Sequence, residues 1–244
     1  MRIWSLVLVL IIFSFAIFSS CTKKSDAPAK TNNGFNNLKI VNTDTIRYLA
    51  LGDSYTVGQS VSQSASFPYQ LTASLQQLGF KPAAPLEIAV TGWTSADLIS
   101  AIAAHGPIPN NYDFVTLLIG VNDQRMGVSD TAYAANFAQL LQTAITCAKG
   151  DKTRVFVLSL PDYGVTPFAN GQDAVIGPQI DQFNKINFAA SISAGVNYFN
   201  ITAISREAAT NLSLLAPDNL HPSAAMYAQW VAGLLPMVAP NINN

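Results

Sequence analysis

Four short clusters hold the residues that could do acyl chemistry. Gly52-Asp53-Ser54-Tyr55 puts a serine hydroxyl on a tight turn, and Val90-Thr91-Gly92-Trp93 offers a side-chain-free backbone N–H. Gly120-Val121-Asn122-Asp123 offers a side-chain amide, and Asp218-Asn219-Leu220-His221 sets a carboxylate three residues from an imidazole. Singly, each reads as an ordinary turn or cap. Together they supply a hydroxyl, amide donors and a carboxylate–imidazole pair, the inventory that acyl transfer needs. The chain has only two histidines, His105 and His221. His105 runs into Gly106-Pro107-Ile108-Pro109, where a helix C-terminus favours a cation, so a bland role suits it better. Asp53 and Asp123 read as structural residues that hydrogen-bond loop amides, and Arg125 reads as a solvated surface residue, the alternative being contact with an anionic group of the substrate. No cluster of His, Asp and Glu has metal-ligand spacing, so neither a metal nor another cofactor is expected.

Composition narrows the class of protein that carries these clusters. The 244 residues are 50% hydrophobic and 11% charged, a balance opposite to that of a disordered chain. Thirteen Lys+Arg against fourteen Asp+Glu leave a formal net charge of -1, with no basic excess to neutralise the phosphates of a nucleic acid. Two cysteines exclude a disulfide-rich scaffold and a cysteine-based zinc cluster. With neither an internal repeat nor a second linker, one domain is expected, and a monomer.

The chain opens with a targeting signature. After Arg2, an apolar run from Ile3 to Phe18 is broken only by Ser5 and Ser14. It is short for a membrane-spanning helix, which needs about 20 apolar residues, and it suits the h-region of a secretory signal. Phe18-Ser19-Ser20-Cys21 looks like a bacterial lipobox, in which the cysteine is lipidated and becomes the mature N-terminus; the competing reading is an uncleaved anchor with an incidental cysteine. The expected division is a signal peptide over residues 1–20, a flexible tether over 21–40 and a folded domain over 41–244. The tether has no periodicity and few large apolar residues to bury. The expected location is the bacterial cell envelope, with the membrane reached through lipidated Cys21. Cys147 then has no partner for an internal disulfide and reads as a small buried hydrophobe.

The elements that must position the four clusters follow from periodicity. Short apolar runs at Tyr48–Leu51, Leu86–Val90, Phe114–Ile119, Val155–Leu160 and Val196–Ile201 have strand length and turn residues at their ends. The third and fourth are almost continuously apolar, as in parallel strands covered on both faces. Phe67, Leu71, Leu75 and Leu78 mark a helix closed by Gly79. Thr94 and Asp97 resemble a capping box for a helix carrying Leu98, Ile99 and Ile102. Tyr133, Phe137, Leu140, Leu141, Ala144 and Ile145 form a long stripe, and Ile180, Phe183, Ile186 and Phe188 suggest a further helix. Pro222 is expected in the first turn of a last helix with Met226, Trp230 and Leu234. This alternation predicts a three-layer α/β/α sandwich on a mainly parallel five-stranded sheet, with ligands beyond the carboxyl ends of the strands.

In that order, Gly52-Asp53-Ser54, Gly92, Gly120-Val121-Asn122-Asp123 and Asp218-Asn219-Leu220-His221 resemble the four blocks of the SGNH or GDSL-type ester hydrolases. The resemblance spans about residues 45 to 235, and Tyr48 to Leu75 is most similar to lysophospholipase- and thioesterase-like members. Tyr55 departs from the leucine in the family's name. Gly-x-Ser-x-Gly is absent, which argues against the α/β-hydrolase fold. The resemblance implies a flavodoxin-like strand order 2-1-3-4-5, Ser54 as nucleophile, His221 as its base and Asp218 orienting the imidazole. It implies an oxyanion hole made by the N–H groups of Ser54 and Gly92 and the amide of Asn122.

The substrate is less specified. Trp93, Tyr163 and Phe168 are candidate substrate-binding residues by position, the last two in a Gly- and Pro-rich loop read as running from Pro161 to Pro178. The expected partner is a small-molecule, glycan or lipid ester: lipid or lysophospholipid esters, or short-chain acyl esters. The alternatives are a carbohydrate O-acetylesterase, an acyltransferase, and a non-catalytic envelope lipoprotein that binds a glycan or lipid.

Overall fold

The computed structural model describes residues 40–41 and 44–243; the expected signal peptide, Cys21 and nearly all of the expected tether lie outside the described residues. Strand β1 (Thr45–Ile46) leads into β2 (Tyr48–Gly52), all of whose residues are buried. A one-turn helix α1 (Ser54–Val57) follows, then α2 (Phe67–Gln77), β3 (Lys81–Pro82) and β4 (Leu86–Ala89). Next come α3 (Ser95–His105), β5 (Phe114–Leu118), α4 (Val121–Arg125) and α5 (Asp130–Cys147). The last part holds β6 (Val155–Leu158), α6 (Asp173–Ala194), β7 (Asn197–Phe199), α7 (Thr202–Arg206) and α8 (Ala224–Ile242).

Five strands form a parallel sheet in the order β4-β2-β5-β6-β7. Numbered along the sheet-forming strands, that is the expected 2-1-3-4-5. The first crossover runs one way from β2 and the later ones run the other. Right-handed crossovers therefore separate α2 and α8, which pack on each other, from α3, α5 and α6, which pack together on the opposite face. Burial on both faces explains why β5 and β6 read as unbroken apolar runs. Under one face Trp230 is fully buried and packs edge-on against Tyr227, with ring centroids 5.0 Å apart and Phe67 alongside. The Thr94–Asp97 capping box is formed, and Cys147 is a free, buried thiol.

One element was not foreseen, and two local expectations are corrected. A parallel pair, β1 with β3, lies outside the main sheet; at two residues each, the strands are too short to show periodicity. The loop after β6 ends at Gln172, because α6 starts at Asp173 and carries Pro178 inside it. A proline in the second turn removes one N–H yet leaves the surrounding turns intact. Pro222 precedes the Ser223 cap of α8 and pairs with Leu215 in an isolated bridge, so it lies outside that helix.

Candidate active site

The strand order reverses between β2 and β5, and a doubly wound sheet opens a crevice there at its carboxyl edge. Ser54 is the first residue after the β2 turn, Gly92 follows β4, and Asn122 follows β5. Neighbouring parallel strands therefore deliver all three to one place. Gly120 makes the turn after β5 workable: its φ is +133°, and a Cβ there would collide with the Tyr133 ring and hydroxyl. Gly92 has φ +89°, while no protein atom lies within 4 Å of where its Cβ would point. Its constraint is backbone conformation beside open space rather than crowding.

His221 arrives from the other end of the chain. Its Nε2 is 2.9 Å from Ser54 Oγ, and its Nδ1 is 2.6 Å from Asp218 Oδ2. These bonds select the tautomer with the proton on Nδ1, leaving Nε2 to accept from the serine hydroxyl. The connecting loop is tight because Asn219 takes a left-handed backbone, φ 58°. Asp218 Oδ1 accepts the N–H groups of Leu220 and His221, each at 3.0 Å, an Asx turn that folds the carboxylate back onto its own loop. The loop is closed at its base by the Ala216 N–H bonding the His221 carbonyl at 2.7 Å. Burial pulls the Asp218 carboxyl up, but hydrogen bonds from Ser60, His221 and Leu220 outweigh it and hold it down at about 2.

Ser54, Gly92, Asn122 and His221 line one cavity of about 70 Å³ together with Tyr55, Thr91, Val121, Arg125, Tyr163, Phe168 and Leu220. Among the described residues nothing accepts the N–H of Ser54 or of Gly92. Asn122 spends one amide hydrogen on the Trp93 carbonyl, 3.0 Å away, which orients the amide and leaves the second hydrogen. Two buried carboxylates brace these donors. Asp123 takes the Ser95 N–H at 2.8 Å and the Ser95 hydroxyl, tying α4 to the start of α3; burial raises it above the ordinary carboxylate range against those bonds. Asp53 caps α1 by accepting the Tyr55 N–H at 3.0 Å. Its Oδ2 has no partner among the described residues. Burial pushes this carboxyl up to about 7, and Asp123 adds to the rise.

Of the aromatic candidates, Tyr163 and Phe168 line the cavity and Trp93 does not; Trp93 contributes its carbonyl and packs against the core. The loop carrying Phe168 is tied to the histidine loop by the Phe168 N–H bonding the Asn219 carbonyl at 3.3 Å. Arg125 is exposed, as expected, but it also lines the cavity. His105 ends α3, exposed and away from the cavity lining. Sequence reasoning missed Ser60, which bonds Asp218; a lone serine in a polar loop carries no signal.

Residues 50–229 match the model of the GDSL-like Lipase/Acylhydrolase family. The chain belongs to that family. It is thus an ester-bond hydrolase on the α/β fold of the GDSL/SGNH enzymes. Among solved structures, TesA superposes with a TM-score of 0.63 at 18% identity, covering 80% of this chain and 99% of that one. A lipase/acylhydrolase from Enterococcus faecalis gives 0.62 at 18%, covering 80% and 96%. An acetylxylan esterase from Geobacillus stearothermophilus gives 0.59 at 20%, covering 82% and 96%. No curated protein matches the chain. At such identities the shared feature is the fold, and the GDSL-like hydrolase's own residues must carry any argument about its site.

Proposed function

We propose that the chain is a serine-dependent ester hydrolase working through an acyl-enzyme, and that its preferred acyl groups are short. The observation that carries the reading is the unbroken relay from Ser54 Oγ through His221 to Asp218, at the wall of a cavity with uncommitted amide donors. A serine hydroxyl is a weak nucleophile near neutral pH and needs such a base. As Ser54 Oγ bonds to the ester carbon, its proton passes to His221 Nε2. Asp218 stabilises the imidazolium through Nδ1–H without taking the proton. The carbonyl oxygen becomes an oxyanion that accepts from the N–H of Ser54, the N–H of Gly92 and the free amide hydrogen of Asn122. On collapse, the C–O bond to the alcohol breaks and His221 returns the proton to the leaving oxygen. Water then attacks the acyl-enzyme by the same steps and frees the acid.

The acyl preference follows from room. The cavity beside Ser54 is small, about 70 Å³, and Tyr55, Val121 and Leu220 stand among its walls. That favours acetyl and similarly short esters, carbohydrate O-acetyl groups among them, over long lipid chains. Tyr163 and Phe168 are the wall such a group would meet. Against p-nitrophenyl acetate, butyrate and octanoate, kcat/KM should be highest for the first two. A monotonic rise to octanoate would replace this reading with a lipid esterase.

We also propose the single domain over 41–244, lipidation of Cys21 and anchoring at the cell envelope, on the strength of the apolar run and Ser19-Ser20-Cys21. Among the described residues no helix is long and apolar enough to cross a membrane. Cys21→Ser should move the protein from the membrane fraction to the soluble fraction, and continued anchoring would mean that the apolar run is retained uncleaved.

A further inference from the structure

Asp218 is held almost entirely by its own loop. Three of its four side-chain hydrogen bonds come from within three residues: the N–H of Leu220, the N–H of His221 and His221 Nδ1. A carboxylate tied only to its own loop would move with that loop, and the imidazole would move with it, relative to a serine set on the sheet. The fourth bond crosses 158 positions of sequence: Ser60 Oγ donates to Asp218 Oδ2 at 2.6 Å, the oxygen that also holds His221 Nδ1.

Ser60 belongs to the turn that leaves α1, six residues after the nucleophile. Its backbone lies in the left-handed region, φ 67°. A residue with a Cβ pays a steric penalty there that glycine does not, and serine is not among the types enriched there. Strained conformations of this kind persist where the surroundings over-determine them. Here the result is a hydroxyl aimed at Asp218. The neighbouring residue adds a second strut, since Gln59 Oε1 accepts from the Thr91 hydroxyl at 2.7 Å, next to Gly92. One turn thus reaches both the loop that carries Gly92 and the loop that carries Asp218.

We propose that Ser60 is a positioning residue for ester hydrolysis: its hydroxyl ties the Asp218 carboxylate, and through it the His221 ring, to the element that carries Ser54. This rests on the serine–histidine–aspartate reading above. Asp218 stands at the rim, where water can partly replace a lost hydroxyl, so the effect is graded rather than all-or-none.

Two substitutions separate positioning from mere loop structure. Ser60→Gly removes the hydroxyl and relieves the backbone, whereas Ser60→Ala removes the hydroxyl and keeps the Cβ. In the full chain in detergent, with p-nitrophenyl acetate, both should lower kcat by roughly 5- to 20-fold at unchanged KM, the range expected for one hydrogen bond to a charged group softened by solvent. The loss should be the same in both, although Ser60→Gly should melt at or above the wild-type temperature. The low-field proton signal of the His221 Nδ1–H should also move in both variants. Wild-type kcat in Ser60→Gly, an unmoved proton signal, or a kcat that follows the melting temperature would overturn the proposal. Ser54→Ala run alongside keeps the layers distinct. If it is inactive while Ser60→Gly is fully active, only the role of Ser60 falls; if Ser54→Ala remains active, the triad reading falls and takes the role of Ser60 with it.

Discussion

The site is built from two unlike halves. Ser54, Gly92 and Asn122 stand on turns at the ends of β2, β4 and β5, and the two central strands of these three are buried along their whole length. Close packing sets the position of that half, and the sheet cannot shift one strand without disturbing its neighbours. Asp218 and His221 stand on an irregular loop before α8, positioned by an Asx turn, a left-handed asparagine, an isolated bridge and Ser60. Hydrogen bonds at a partly exposed rim set the position of that half. On the proposed triad, the difference teaches that core packing sets the strand ends carrying Ser54 and Asn122, while Asp218 and His221 depend on polar contacts that can be removed singly.

That contrast can be broken by experiment, starting with the largest effect. His221→Ala should lower kcat about 10⁴-fold or more while the melting temperature stays near wild type, because the ring lies at the wall of the cavity and the loop's core residues, Leu214 and Leu215, are untouched. His105→Ala should leave both unchanged, and the reverse result would mean that the wrong histidine has been identified as the base. Asn122→Ala should cost about 10²–10³ in kcat with little change in KM, since its amide acts on charge that exists only in the transition state. A pure KM effect in steady-state kinetics would remove Asn122 from the oxyanion hole.

The packed half should respond in stability instead of rate. Leu117 is fully buried in β5, and Leu117→Ala should cost about 2–5 kcal/mol of unfolding free energy, read by denaturant melts, with kcat per folded molecule near wild type. A large kcat loss in well-folded Leu117→Ala would show that packing and chemistry are not separable as described. A smaller effect concerns pH. Burial raises the Asp53 carboxyl from 3.8 to about 7, so between those values the native state keeps a proton that the unfolded chain releases. Stability therefore falls as pH rises from about 4 to 7. Asn caps a helix as well as Asp, so Asp53→Asn should flatten that fall in melting temperature without losing the α1 cap. A slope identical to wild type would show that Asp53 does not carry it. Glu87, also pushed up to about 7 by burial, should leave a residual slope in the variant.

The two halves also differed in how much of them could be read from the sequence. The three central sheet strands were visible because burial on both faces writes unbroken apolar runs, and strand-end Gly, Ser and Asn then marked the crevice. The half-buried last strand was the least accurate, predicted over Val196–Ile201 and found at Asn197–Phe199, because an edge position relaxes the apolar requirement. The Asp218–His221 spacing was visible, but what holds that loop was not. Ser60 bonds across 158 positions, and no periodicity encodes such a contact. Trp93 shows the limit of arguing from adjacency: its neighbour Gly92 lines the cavity while its own ring packs against the core. Pro178 shows how a residue read as a loop end can sit inside a helix once tertiary packing stabilises the flanking turns.

The central claim is that Ser54 on the packed half is activated by His221 on the hydrogen-bonded half. Its most direct test is labelling of the full chain with p-nitrophenyl ethylphosphonate, followed by mass spectrometry of the digested protein. The account predicts one phosphonyl group per chain, on Ser54, absent from Ser54→Ala and much slower to form in His221→Ala. A label on another residue, or undiminished labelling in His221→Ala, would contradict it.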